Sequence, residues 1–77
     1  MDDAALRLRI RVISVSTRAA VNSLGSGDPQ VRGVLERGRW LLDGLEPLVL
    51  EHGSADVKLA LSEAREEITS MDGHSEP

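Results

Sequence analysis

Behind the run Ser26-Gly27-Asp28-Pro29, apolar and small residues recur at the three-and-four spacing of one helical face: Val31, Val34, Leu35, Gly38, Leu41, Leu42, Leu45, Leu48 and Val49. Asp28 ahead of Pro29 suits an N-cap followed by the first helical position, where the missing N–H of proline costs nothing. A helix is expected over 29–52, and its stripe has to be buried against something else. Pro47 offers no N–H to the carbonyl of Asp43 and its ring crowds that carbonyl, so a kink or break is expected near residues 43–47, eased by Gly44. Gly53, after His52, suits a C-cap.

What can cover that stripe is limited. The chain has 77 residues, enough for one domain, and a monomer of this size buries only roughly 60% of the surface its unfolded form exposes. There is no cysteine, so disulfides and thiolate metal sites are excluded, and His52 and His74 supply no recognisable ligand set. No metal and no cofactor are expected, and self-association becomes the remaining source of stability. Trp40 is the only aromatic residue, so the core is aliphatic.

A further helix is expected over 54–71. Ser54 caps it, Asp56 sits near its positive end, and Val57, Ala60, Leu61, Ala64, Ile68 and Met71 form its stripe. Its other face carries Glu63, Glu66 and Glu67 around Arg65 and is expected to be solvated. Residues 72–77 hold nothing apolar to dock and are expected to be a disordered tail, leaving one domain over 1–71.

The first segment admits two readings. As a helix over 2–24, Leu6, Ile10, Ile13, Thr17, Ala20, Val21 and Leu24 form one stripe, while Leu8, Val12, Val15 and Ala19 form a second on nearly the opposite side. Arg7, Arg11 and Arg18 then share a narrow polar strip between them. One hairpin cannot cover both apolar sides, so such a helix suits the centre of an oligomer. As a strand, Leu6-Arg7-Leu8-Arg9-Ile10-Arg11-Val12 alternates without exception.

That alternation resembles the ribbon-helix-helix DNA-binding domains over residues 6–45. The resemblance implies an N-terminal strand paired with its dimer mate, with Arg7, Arg9 and Arg11 turned toward base edges and phosphates, where arginine bonds guanine in bidentate fashion. Against it, a first helix would have to fit between Ser16 and Leu24, and Val12-Ile13 followed by Val15 breaks the alternation. Asp2-Asp3-Ala4-Ala5 also reads as a helix start.

Charge separates along the chain. Residues 1–42 hold seven arginines against Asp2, Asp3, Asp28 and Glu36, for a net +3, whereas 43–77 hold Lys58 and Arg65 against nine carboxylates, for a net −7. Such a chain can pair its halves internally, between copies, or with two partners. The overall charge of −4, the acidic second half and the lack of aromatic residues near the arginines argue against sequence-specific nucleic-acid binding, and the arginines are better placed to meet a Glu63–Glu67 face of a neighbouring copy.

Catalysis finds little support. Glu63, Glu66 and Glu67 lie on the arc of one short helix, His52 beside Glu51 suits a helix end, and Ser14, Ser16, Thr17, Ser23 and Ser26 have no base nearby in sequence. Gly25-Ser26-Gly27-Asp28-Pro29 lacks the following lysine of a phosphate loop.

Trp40 stands out. It lies about 180° from the Val31–Val49 stripe, in line with Gly33 and Gly44 and close to Arg37. An outward tryptophan beside glycines suits close contact with another helix.

The reading is therefore an all-α, three-helix antiparallel bundle, completed by homodimerisation or a larger homo-oligomer. Trp40, Gly33, Arg37, Gly44, Leu8, Val12 and Val15 are its interface candidates. The expected role is non-enzymatic: a protein–protein interaction module that regulates, adapts or assembles a larger partner. The alternative is a dimeric DNA-binding regulator or antitoxin-type protein, with Arg7, Arg9 and Arg11 at the nucleic acid and the acidic C-terminal helix on a protein partner. With no leader pattern and no long apolar span, a cytoplasmic, non-membrane protein is expected. Eight arginines to one lysine suggest a GC-rich bacterial genome.

Overall fold

The computed structural model describes residues 2–25 and 27–73, which form three helices: α1 (Asp3–Leu24), α2 (Gln30–His52) and α3 (Ala55–Gly73). Each packs against both others. The pairs that cross between helices give their directions. Ser54 at the start of α3 reaches Asp3, and Glu67 reaches Ser14, so α1 and α3 run the same way. Arg65 reaches Asp43 while Asp72 reaches Arg39, so α2 runs against α3.

Residues 6–16 are helical, and among the described residues there is no strand, which overturns the ribbon-helix-helix alternative. The side chain of Asp2 accepts the amide of Ala5 at 2.8 Å and thereby caps α1. The strand-like alternation of residues 6–12 arises because this helix is apolar on two opposite sides, only one of which the bundle buries. Gly25, with φ +85°, ends α1 in a conformation that side chains rarely adopt, and its amide bonds to the carbonyl of Val21.

Asp28 caps α2 as expected. Its Oδ1 accepts the Gln30 amide at 2.8 Å, its carbonyl accepts that of Val31 at 3.0 Å, and Pro29 already has helical angles. Of the kink or break expected near residues 43–47, no break occurs, since α2 is continuous to His52 with Pro47 inside it. Leu45 and Val49, buried on either side of Pro47, anchor both halves in the core, while exposed Asp43 leaves its freed carbonyl near water.

The core combines Leu6 and Ile10 of α1, Val31, Leu35, Leu42, Leu45 and Val49 of α2, and Val57, Leu61, Ala64 and Ile68 of α3. Leu41, counted in the α2 stripe, sits at its edge and is exposed. At mid-height Gly38 is buried where all three helices converge. A Cβ there would lie 2.7 Å from Thr17 Oγ1 and 3.1 Å from Ile68 Cδ1. The expected tail begins at Asp72, but α3 continues through Gly73 and Asp72 pairs with Arg39 at 3.2 Å. Residues 74–77 lie outside the described residues.

Candidate functional site

Two apolar surfaces remain open on the bundle. On α1, Leu8, Val12 and Val15 are 61%, 56% and 57% exposed, as the second stripe of that helix required. On α2, Trp40 is 74% exposed. Around it Gly33 and Gly44 are so open that an added Cβ would meet nothing within 4 Å, and Arg37 is exposed nearby. In a three-helix bundle the outer side of one helix is opposite the groove between the other two. Trp40 therefore points away from the α1–α3 groove, and the seven interface candidates fall on separate sides rather than on one surface.

The α1–α3 groove is the richer of the two. Arg7, Leu8, Arg11 and Val15 form its α1 wall, Glu63 and Glu67 line the α3 side, and Ala60 and Ala64 keep the floor small and apolar. Val12 and Arg9 lie outside it, because one residue's rotation of about 100° turns each away from its neighbours Arg11 and Leu8. The helix thus separates Arg9 from Arg7 and Arg11, which a strand would have set on one face. Among the described residues none of these three arginines has an ion-pair partner, whereas Arg18, Arg39 and Arg65 do.

At the end of the groove the structure departs from the expected solvated acidic face. Glu67 accepts the hydroxyl of buried Ser14 at 2.8 Å and the Nε–H of Arg18 at 2.9 Å. The Ser14 hydrogen bond, aided by the Arg18 guanidinium, holds its carboxyl below the usual glutamate range. Arg65, expected among solvated glutamates, turns instead to α2, pairing with Asp43 at 2.8 Å and with Glu46. Sequence reasoning missed the Ser14–Glu67–Arg18 cluster. Its only signal was that Ser14 lies one turn from both Ile10 and Arg18, at the edge of the inner stripe. Leu50 and Leu59 were also missed as exposed residues, because an isolated leucine off its stripe carries no periodic signal.

Among the described residues no group of three histidine or carboxylate side chains could hold a metal ion, and no helix is long and apolar enough to cross a membrane. Comparison with protein-family models, curated proteins and solved structures finds no match to this chain.

Proposed function

We propose that the chain is a non-enzymatic protein–protein interaction module that self-associates and presents a second surface to a larger partner, which it regulates, adapts or assembles. The observation that carries this reading is the pair of exposed apolar surfaces on separate sides of one small bundle, Leu8, Val12 and Val15 on α1 and Trp40 on α2. A tryptophan three-quarters exposed and bordered by open glycines gives the folded monomer little and offers a partner a large apolar anchor.

The test uses the full chain as bait in extract of its native host, beside Trp40→Ala. The reading expects a protein retained by the wild type and lost with Trp40→Ala, and the emission of Trp40, the only fluorophore of its kind in the chain, should shift to shorter wavelength when that protein is added. Retention that ignores Trp40 removes the partner surface from the proposal. Nanomolar, salt-sensitive binding to its own promoter DNA, lost on Arg7→Ala with Arg11→Ala, replaces this reading with the DNA-binding regulator.

A further inference from the structure

The α1–α3 face carries arginines on one ridge and glutamates on the other, and the central pair stands level. The two helices run the same way, with Asp3 bonded to Ser54 at the base and Ser14 to Glu67 higher up, pairs 51 and 53 residues apart. Arg11 and Glu63 are 52 apart and therefore lie at one height. Both point out of the face. On α1, a turn of about 60° either way from Arg11 leads to Ser14, down in the groove, or to exposed Leu8 on the outer shoulder. On α3, Glu63 lies between Ala60 in the groove and exposed Leu59 on the outer shoulder. We infer that this face docks a second copy of the chain about a two-fold axis running along the helices, so that each α1 lies parallel on the α3 of the other copy.

Such an axis leaves no register to adjust, because it keeps every residue at its own height. Arg11 then faces Glu63 of the second copy, and Glu63 faces its Arg11. Leu8 comes within about one residue's rise of Leu59 of the second copy, so two exposed leucines cover each other. Val15, two turns above Leu8 on the same shoulder, is covered by the upper part of the same helix. Each copy brings Arg7, Arg11, Glu63 and Glu67 to the contact, so its charges balance. The axis repeats every pair and closes the assembly at a dimer.

Charge selects both this occupant and this axis. A two-fold across the helices would set α1 on α1 and α3 on α3, arginine against arginine and glutamate against glutamate. A partner helix of one sign would attract one row and be repelled by the other, and an anionic membrane or nucleic acid would meet Glu63 and Glu67. A second copy turned about the long axis matches both rows at once.

This inference rests on the self-association half of the proposed function, and one set of measurements separates the two. Arg11 and Glu63 are exposed and have no ion-pair partner among the described residues, so Arg11→Glu and Glu63→Arg should fold, which circular dichroism checks. Sedimentation at tens of micromolar should show a wild-type dimer. Each variant alone sets like charges against each other at both copies of the central pair and should dimerise about tenfold more weakly or worse. In an equimolar mixture, Arg11 and Glu63 meet natively at one of the two contacts. At the other the two introduced side chains, again of opposite charge, meet each other, so wild-type strength should return. Val12→Glu should dimerise as the wild type does, since Val12 lies about 100° round α1 from Arg11. A dimer that ignores either reversal, that Arg11→Glu strengthens as a two-fold across the helices would have it, that the mixture fails to restore, that Val12→Glu abolishes, or that grows into larger species with concentration overturns this face and axis while leaving self-association standing. A wild type that stays monomeric overturns both.

Discussion

Gly38→Ala tests the packing of the bundle most sharply, because two effects of known size act in opposite directions. An alanine in place of glycine inside a helix gains about 1 kcal/mol from propensity. Against that, its methyl would lie 2.7 Å from Thr17 Oγ1, 3.2 Å from Thr17 Cγ2 and 3.1 Å from Ile68 Cδ1. The isoleucine methyl ends a flexible side chain and can yield. Thr17 is β-branched, buried and close to its own backbone, so α1 itself has to move. Overpacking of this kind costs about 1–3 kcal/mol, leaving a net loss of up to about 2 kcal/mol, or a fall in Tm of up to roughly 8–16 °C for a domain of this size. Gly33→Ala and Gly44→Ala are the controls. With nothing within 4 Å of an added Cβ, each should stabilise by about 0.5–1 kcal/mol. Thermal unfolding followed by circular dichroism at one fixed concentration gives all three values, and Gly38→Ala combined with Thr17→Ala should recover most of the loss. If Gly38→Ala raises Tm as the two controls do, the three-helix convergence at Gly38 is wrong.

Three further outcomes follow from the same geometry. Leu42→Ala, truncating a fully buried side chain, should cost about 2–5 kcal/mol, enough to leave a domain of ordinary stability largely unfolded on warming in a urea or thermal titration. Gly53→Ala should destabilise by about 1–3 kcal/mol in the same assay, since its Cβ would sit 2.6 Å from the Val49 carbonyl oxygen and 3.1 Å from Val57 Cγ1, and backbone cannot swing aside as a side chain can. Glu67→Ala should cost about 1 kcal/mol at neutral pH, mostly by leaving the buried Ser14 hydroxyl without its acceptor, since the half-exposed Arg18 pair contributes less. Because the carboxyl of Glu67 is depressed in the folded state, its stabilisation is complete above its ordinary value of about 4.5 and fades as pH falls through the lower folded value, so the gap between wild type and variant should narrow in acid.

The elements that periodicity governs were legible in the residues alone. The stripes through Leu6 and Ile10, through Val31, Leu35, Leu42 and Val49, and through Val57, Leu61 and Ile68 mark three helices and their inner sides, and Asp28 marks a helix start by its chemistry. Trp40 was legible as outward for the same reason. At Pro47 the local penalty leaves both a kink and a break open, and it takes the burial of Leu45 and Val49 on either side to show why α2 stays unbroken. Residues 6–12 were ambiguous because apolar residues on both sides of a helix mimic the alternation of a strand. Ser14, Glu67 and Arg65 were misjudged for a further reason: periodicity tells which way a side chain points on its own helix, but only the assembled bundle tells which helix stands beside it.

The placement of the two open surfaces bears on how self-association and partner capture would relate. A dimer formed across the α1–α3 groove leaves the outer side of α2 untouched, because that side is opposite the groove in each copy. Both Trp40 side chains then face outward, at the two ends of the axis joining the bundles, and the dimer becomes a bivalent ligand. Two weak contacts to one assembly, or to two copies of a partner, gain from the effective concentration that such linkage supplies. A variant that breaks such a dimer without touching Trp40, such as a charge placed on the exposed apolar side of α1 by Val15→Glu, should therefore leave the affinity for a single partner site unchanged while weakening attachment to a surface displaying many sites. Surface plasmon resonance at low and high partner density compares the two. Equal loss at both densities would mean that the dimer face itself touches the partner.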